Sequence, residues 1–263
     1  MTKRVKQESG NYEVENTQYD AVILGLFLRH YKPGLTRLAF EKDEIENVCQ
    51  ELNIKVRNIP DIPYTYRVRR SLPKEILETG HWAIESAGKS GYAFIMLEHP
   101  PRFEIRFQDY EPINIYNAIP EIVEGLLRRD EQSLLTKLLY NRLIDIFCGL
   151  TCFHIQNHYR SFVDKIGEVE LDAIYVGVDK LGSLFVIPIE AKSQADNDMI
   201  GRIQISQMAQ LVKQDFHELT NRILAVKELS DKTIGIVEFS DKTDPNEIRI
   251  LSVSRYRLIR HNQ

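Results

Sequence analysis

The stretch that most constrains this chain lies between residues 151 and 191, where three apolar segments of strand length follow one another closely. They run from about Cys152 to Phe162, Val169 to Val178 and Leu184 to Ala191. The turn Asp179-Lys180-Leu181-Gly182 joins the second to the third, short enough for the two to pair as neighbours. Ahead of them, Glu131 to Phe147 gathers Leu134, Leu135, Leu138, Leu139, Leu143, Ile146 and Phe147 on one face, the pattern of an amphipathic helix. Behind them the pattern predicts a helix from about Gly201 to Leu219 or a little further, then strands at Thr233 to Phe239 and Ile248 to Val253. Helix, three strands, helix and two strands make an α/β domain, a mixed sheet flanked by helices.

The first hundred residues read differently. Residues 1–18 are polar and lack apolar periodicity, which predicts a flexible arm. Tyr19 to Tyr31 has the density of a short buried helix, stopped by Lys32-Pro33-Gly34. Lys42 to Leu52 repeats apolar residues at helical intervals (Ile45, Val48, Cys49, Leu52), with Asp43 and Glu44 in its first turn. Tyr64 to Leu72 is a third, basic helix, and His81 to Leu97 alternates as a hairpin around Gly88-Lys89-Ser90-Gly91. Pro100, Pro101, Pro112 and Pro120 then interrupt one expected strand, Arg102 to Phe107. The division expected for these 263 residues is an arm (1–18), a small α+β domain (19–99), a linker (100–120) and the α/β domain (121–263).

Composition excludes several classes. Hydrophobic residues are 43% and charged ones 27%, enough to bury a core, so the chain is not disordered as a whole. No apolar run approaches the roughly 20 residues that cross a bilayer, and the N-terminus lacks the apolar segment of a secretory signal. A cytoplasmic protein without membrane contact is expected. Cys49, Cys148 and Cys152 form no C-x-x-C pair, which removes a disulfide scaffold and a four-cysteine zinc site. No G-x-G-x-x-G or G-x-S-x-G occurs, and Ala87-Gly88-Lys89-Ser90 lacks the upstream glycine of a P-loop, so no nucleotide cofactor is expected.

The formal net charge is −4, but its sign is unevenly spread. Lys55, Arg57, Arg67, Arg69, Arg70 and Lys74 face Asp61 alone within twenty residues, and Arg255, Arg257, Arg260 and His261 close the chain. Helix, helix, basic helix and hairpin, over about residues 19–98, resemble the winged helix-turn-helix family. The resemblance implies that the third helix enters the major groove while the wing lies along the backbone. Tyr64, Thr65, Arg67, Arg69 and Arg70, with Lys74 and the wing's Lys89, are then the residues available to double-stranded DNA. Winged helices also serve as protein-binding modules.

The chemistry concentrates at two strand ends. In Glu168-Val169-Glu170-Leu171-Asp172 the acids share one face, and in Pro188-Ile189-Glu190-Ala191-Lys192 so do Glu190 and Lys192. Paired strands bring Asp172 and Glu190 close enough to share a divalent cation, and hard oxygen ligands suit Mg²⁺, with Mn²⁺ as a substitute. Lys192 beside them can orient water and stabilise developing negative charge. Asp172 and Glu190-Ala191-Lys192, set in that order of elements from about Glu121 to Tyr256, resemble the PD-(D/E)XK superfamily, the restriction-endonuclease-like fold. The resemblance implies that Asp172 and Glu190 bind the metal, that the Ala191 carbonyl adds a ligand and that Lys192 assists the attacking water. Glu131 matches the glutamate that the family often adds from the preceding helix. Leu171 stands where the family has proline, and Pro188 falls inside a strand, which suits only an edge or a ladder interruption.

Lesser candidates are Gln204, Gln207 and Gln210 on the following helix, as supports of the site, and Glu168 and Glu170 for a second metal. His154 and His158 lack the further ligands of a zinc set. The expected activity is Mg²⁺-dependent hydrolysis of DNA phosphodiester bonds by a homodimeric restriction-type endonuclease. The alternatives are a structure-selective repair or junction-resolving nuclease, or a DNA-binding regulator whose second domain is not catalytic.

Overall fold

The computed structural model describes residues 5–88, 91–128, 130–194 and 199–260. The chain divides into two compact units: residues 1–101 together with 164–167, and 102–163 together with 168–263.

The first unit opens with α1 (Val5–His30), so the backbone expected as a flexible arm is helical from Val5 onward. Its end comes just before Lys32-Pro33-Gly34, where Gly34 takes φ +90°, a conformation that a side chain would strain. β1 (Arg37–Glu41) follows, then α2 (Lys42–Glu51), which starts on a capping arrangement in which the Glu41 N–H donates to Glu44 Oε1 at 3.0 Å. The expected basic helix starts earlier, ends earlier and is split: α3 (Asp61–Tyr64) runs into one π-helical turn, Thr65–Arg69, and α4 (Lys74–Leu77) follows Pro73. β2 (His81–Ser86) and β3 (Gly91–Leu97) form the expected hairpin, and the sheet order is β1-β3-β2, antiparallel throughout. Trp82, Phe27, Phe94, Phe40, Ile45 and Ile76 fill the core between helices and sheet.

The second unit is mixed α/β. Its elements are β4 (Ile113–Tyr116), α5 (Glu121–Glu124), α6 (Glu131–Tyr140), α7 (Leu143–Cys148), β5 (Thr151–Val163), β6 (Gly167–Val178), β7 (Leu184–Lys192), α8 (Arg202–Asp215), β8 (Thr220–Asn221), β9 (Ile223–Glu228), β10 (Ile234–Phe239) and β11 (Ile250–Ile259). The sheet runs β4-β11-β10-β9-β7-β6-β5, with β8 beside β7. β4 pairs with β11 and β7 with β9 in parallel, while β6–β7 and β9–β10–β11 are antiparallel. α8 is the crossover that a parallel β7–β9 pair requires.

Four expectations are corrected here. The segment 100–120 is not all linker: β4 is part of the large sheet, and Phe103 N–H donates to Ile200 C=O at 2.9 Å. Arg102 to Phe107 is no strand; Arg102 makes a single bridge to Gly201, and Phe107–Asp109 is a 3₁₀ turn. The helix expected from Glu131 to Phe147 breaks at Arg142, which takes φ +52°, next to buried Asn141, whose side chain accepts the Ala118 N–H and donates to Lys137 C=O. The expected long helix after residue 201 stops at Asp215, and the apolar run beyond it is β9, whose residues 223–226 are all buried. Pro188 sits where the parallel partner of β7 changes from β8 to β9, an interruption that tolerates its missing N–H.

Candidate active site

β6 and β7 are an antiparallel pair whose register places Ala173 opposite Ile189. One residue further on, Asp172 and Glu190 therefore stand opposite each other on one face. The neighbours of both acids on the other face are apolar and buried, Leu171 and Ala173 on β6 and Ile189 and Ala191 on β7, which fixes the strands against the core. The core here is Leu134, Leu135 and Leu138 of α6 packed on the sheet.

The polar side chains that meet at this face hold one another. Asp172 Oδ2 accepts the Ala191 N–H at 2.7 Å. Glu190 Oε1 accepts from Gln204 Nε2 at 2.8 Å and lies 2.8 Å from Lys192 Nζ. Lys192 is 3% and Glu190 7% exposed, so this is a buried acid–base cluster rather than a solvated strand end. Burial, and then the neighbouring charge of Glu190, pushes the Asp172 carboxyl up to about 8; the Ala191 N–H and Lys192 oppose the shift, and Glu131 adds to it. Glu131, at the start of α6, is thus close enough to be felt by Asp172. α6 begins where it does because Asp130 caps it, accepting the Ser133 N–H at 2.8 Å.

Among the described residues no group of three or more His, Cys, Asp or Glu side chains is gathered as metal ligands. Two carboxylates and the Ala191 carbonyl are the available donors. They suit Mg²⁺, which takes one or two carboxylates and keeps its other positions for water or phosphate. Burial, and then the neighbouring Glu190, raise the Asp172 carboxyl, so a cation bound there would compete with its proton.

Other candidates divide. Gln204 is a partner of Glu190, whereas Gln207 is buried on α8 and Gln210 bonds to Ser206 Oγ at 3.1 Å. Glu170 is not drawn into the site: His158 Nδ1 at 2.8 Å and Arg160 Nη2 at 3.1 Å, both from β5, engage it. One basic residue escaped the sequence reading. Lys227 of β9 is in register with Lys192 across the parallel pair, and it lines an open cleft of about 200 Å³ with Gln194, Phe103 and Phe107. The apolar run Ile223-Leu224-Ala225-Val226 ahead of Lys227 was the available signal, hidden by its fusion with the preceding helix.

The basic helix is less available to a partner than its sequence implies. Tyr64 is exposed and Lys74 is exposed beside Glu78, 3.5 Å away. Thr65 is buried, and Arg70 lies 3.0 Å from Asp20, so neither is a free reader. Arg67 is turned inward, its Nη1 donating to Ser86 Oγ. The side chain of Arg69, and Lys89, lie outside the described residues. At the C-terminus Arg255 pairs with Asp231 and Arg260 with Glu121 and Glu124, which neutralises two members of the second expected basic patch; Arg257 is exposed, and His261 lies outside the described residues.

Comparison with known protein families, with curated proteins and with solved structures finds no match for this chain. Among the described residues no helix is long and apolar enough to cross a membrane.

Proposed function

We propose that the chain is a Mg²⁺-dependent endodeoxyribonuclease of the PD-(D/E)XK type, restriction-like and homodimeric, acting on double-stranded DNA that the first unit binds as a winged helix. The observation that carries the reading is the buried cluster of Asp172, Glu190, Lys192 and Gln204 on two paired strands and the helix that follows. The succession α6, β5–β6–β7, α8, β9 supports the nuclease-like fold, and a β2–β3 hairpin that follows the helical segments, with β1 from between α1 and α2 on its β3 edge, supports the winged helix. Asp172, Glu190 and the Ala191 carbonyl would hold the metal. Bound there, it supplies a Lewis acid for a phosphate oxygen and neutralises the paired carboxylates.

The protein's own groups do the remainder. The Ala191 N–H and the Gln204 amide fix the rotamers of Asp172 and Glu190, so the two acids are preorganised. Lys192, held at Glu190 and nearly dry, places an ammonium beside the position of an incoming phosphodiester, where it stabilises the charge that develops as water attacks. Glu131 adds a third acid within electrostatic reach, suited to accepting a proton from that water.

The test is cleavage of mixed-sequence duplex DNA by wild type, Asp172→Ala and Lys192→Met, with Mg²⁺ or with EDTA. Discrete fragments that need Mg²⁺ and both residues, with duplex retardation kept in the variants, are the expected result. Retardation without cleavage in wild type would favour the regulator instead.

A further inference from the structure

Arg67 lies in the π-helical turn Thr65–Arg69 and is mostly buried. Its Nη1 donates to Ser86 Oγ at the end of β2, its guanidinium carbon is 5.9 Å from the Tyr64 ring centre, and its Nε is buried without a hydrogen bond. None of these neighbours carries a compensating charge. The serine hydroxyl is neutral, and burial pushes the nearby Tyr92 phenol up, so it keeps its proton. Burial pulls the Arg67 pKa down, yet a guanidinium stays charged in proteins. Three other arginines of the same unit differ: Arg29 faces Glu51, Arg37 faces Glu85 and Arg70 faces Asp20.

A desolvated cation without a counter-ion is costly to the fold, and such a group persists where something supplies the missing charge. The turn around it is unusual as well. The Arg70 N–H reaches back five residues to Thr65 C=O at 2.9 Å, and single π turns recur at binding sites. Guanidinium, serine hydroxyl and an exposed tyrosine are a donor set for a tetrahedral oxyanion, to which a guanidinium donates charge-assisted N–H bonds.

We infer that Arg67 and Ser86, beside Tyr64, form a receptor for one phosphate group, filled in this chain by a phosphodiester of duplex DNA. The source of the phosphate rests on the proposed function; the chemistry of the receptor does not.

The experiment uses the full chain as wild type, Arg67→Met and Ser86→Asp, the last placing a carboxylate beside the guanidinium. Thermal midpoints are read in sodium phosphate against sodium chloride at matched ionic strength, and duplex affinity is read across a salt series. Wild type is expected to gain stability in phosphate beyond that in chloride. Arg67→Met and Ser86→Asp should each lose that increment and melt above wild type in chloride. The logarithmic salt slope of duplex binding should become shallower by about one in Arg67→Met, with affinity about tenfold lower. A phosphate increment and a salt slope both unchanged in Arg67→Met overturn the inference. If Arg67→Met does not fold, an unchanged phosphate increment in Ser86→Asp overturns it. Should wild type bind no duplex while phosphate stabilises it through Arg67, the receptor stands, its ligand is free phosphate, and the DNA reading falls.

Discussion

At the scale of single residues, Asp172 carries the strongest electrostatic consequence. An unfolded aspartate releases its proton near the ordinary carboxylate value of about 3.9, whereas folded Asp172 keeps it up to about 8. Between those values the folded chain binds more protons than the unfolded one, so stability is full below the lower value and falls as pH rises through the window. In the absence of divalent cations the urea midpoint of wild type should therefore decline from pH 5 to pH 8. Asp172→Asn, whose amide oxygen can still accept the Ala191 N–H, should flatten that decline and be more stable at pH 8 by about 1–3 kcal/mol, the usual cost of an uncompensated buried group. A variant with the same pH profile as wild type would show that burial and Glu190 do not raise the Asp172 carboxyl. This much of the site was legible, because period two and a short turn place Asp172, Glu190 and Lys192 together whatever the rest of the fold. The partners that decide their state were not: Gln204 comes from a helix whose rotation depends on tertiary packing.

At the scale of elements, β10 and the segment before β4 lock onto each other through one glycine. A Cβ on Gly235 would lie 2.4 Å from the Phe107 ring, closer than any real contact. Gly235→Ala should destabilise by about 1–3 kcal/mol through overpacking, and Phe107→Ala in the same chain should recover part of that loss, a coupling that a double-mutant cycle in urea measures. Additive losses would mean that residues 102–109 do not pack on the sheet. The prolines around this segment read as a linker over 100–120; the two compact units divide between residues 101 and 102. Strand β4 beyond that division was invisible, since four residues with little burial carry no periodic signal; their pairing partner is β11, more than a hundred residues away. β1 is a different case. Its alternation, with Leu38 and Phe40 buried, was present in the letters but is only five residues long.

At the scale of the whole molecule, two cores are formed by different sets of side chains, one around Trp82 and Phe94, the other around Leu138 and Ile189. A chain built this way need not melt in one step. Calorimetry should resolve two transitions, with Trp82→Ala lowering one and Leu138→Ala the other, each by the roughly 2–5 kcal/mol that large-to-small core changes cost. A single transition shifted equally by both variants would mean that the two cores unfold as one.

Periodicity and turn chemistry act over a few residues, so the sequence by itself determined the local elements: the helices with an apolar stripe, the hairpin at 81–97, the strands at 151–192 and the placing of Asp172 and Glu190 at the ends of two strands joined by a short turn. Where a residue's role depends on distant partners, only the tertiary structure decided it. Arg70 was one more positive charge in a basic helix until Asp20 of α1 came to lie 3.0 Å from it, and Arg67 was another until it turned to Ser86 of the hairpin, with no acid paired to it among the described residues. Charge in a sequence states how many ions there are. Which of them reach water, and which must find a partner inside, is set by the long-range packing that no local pattern contains.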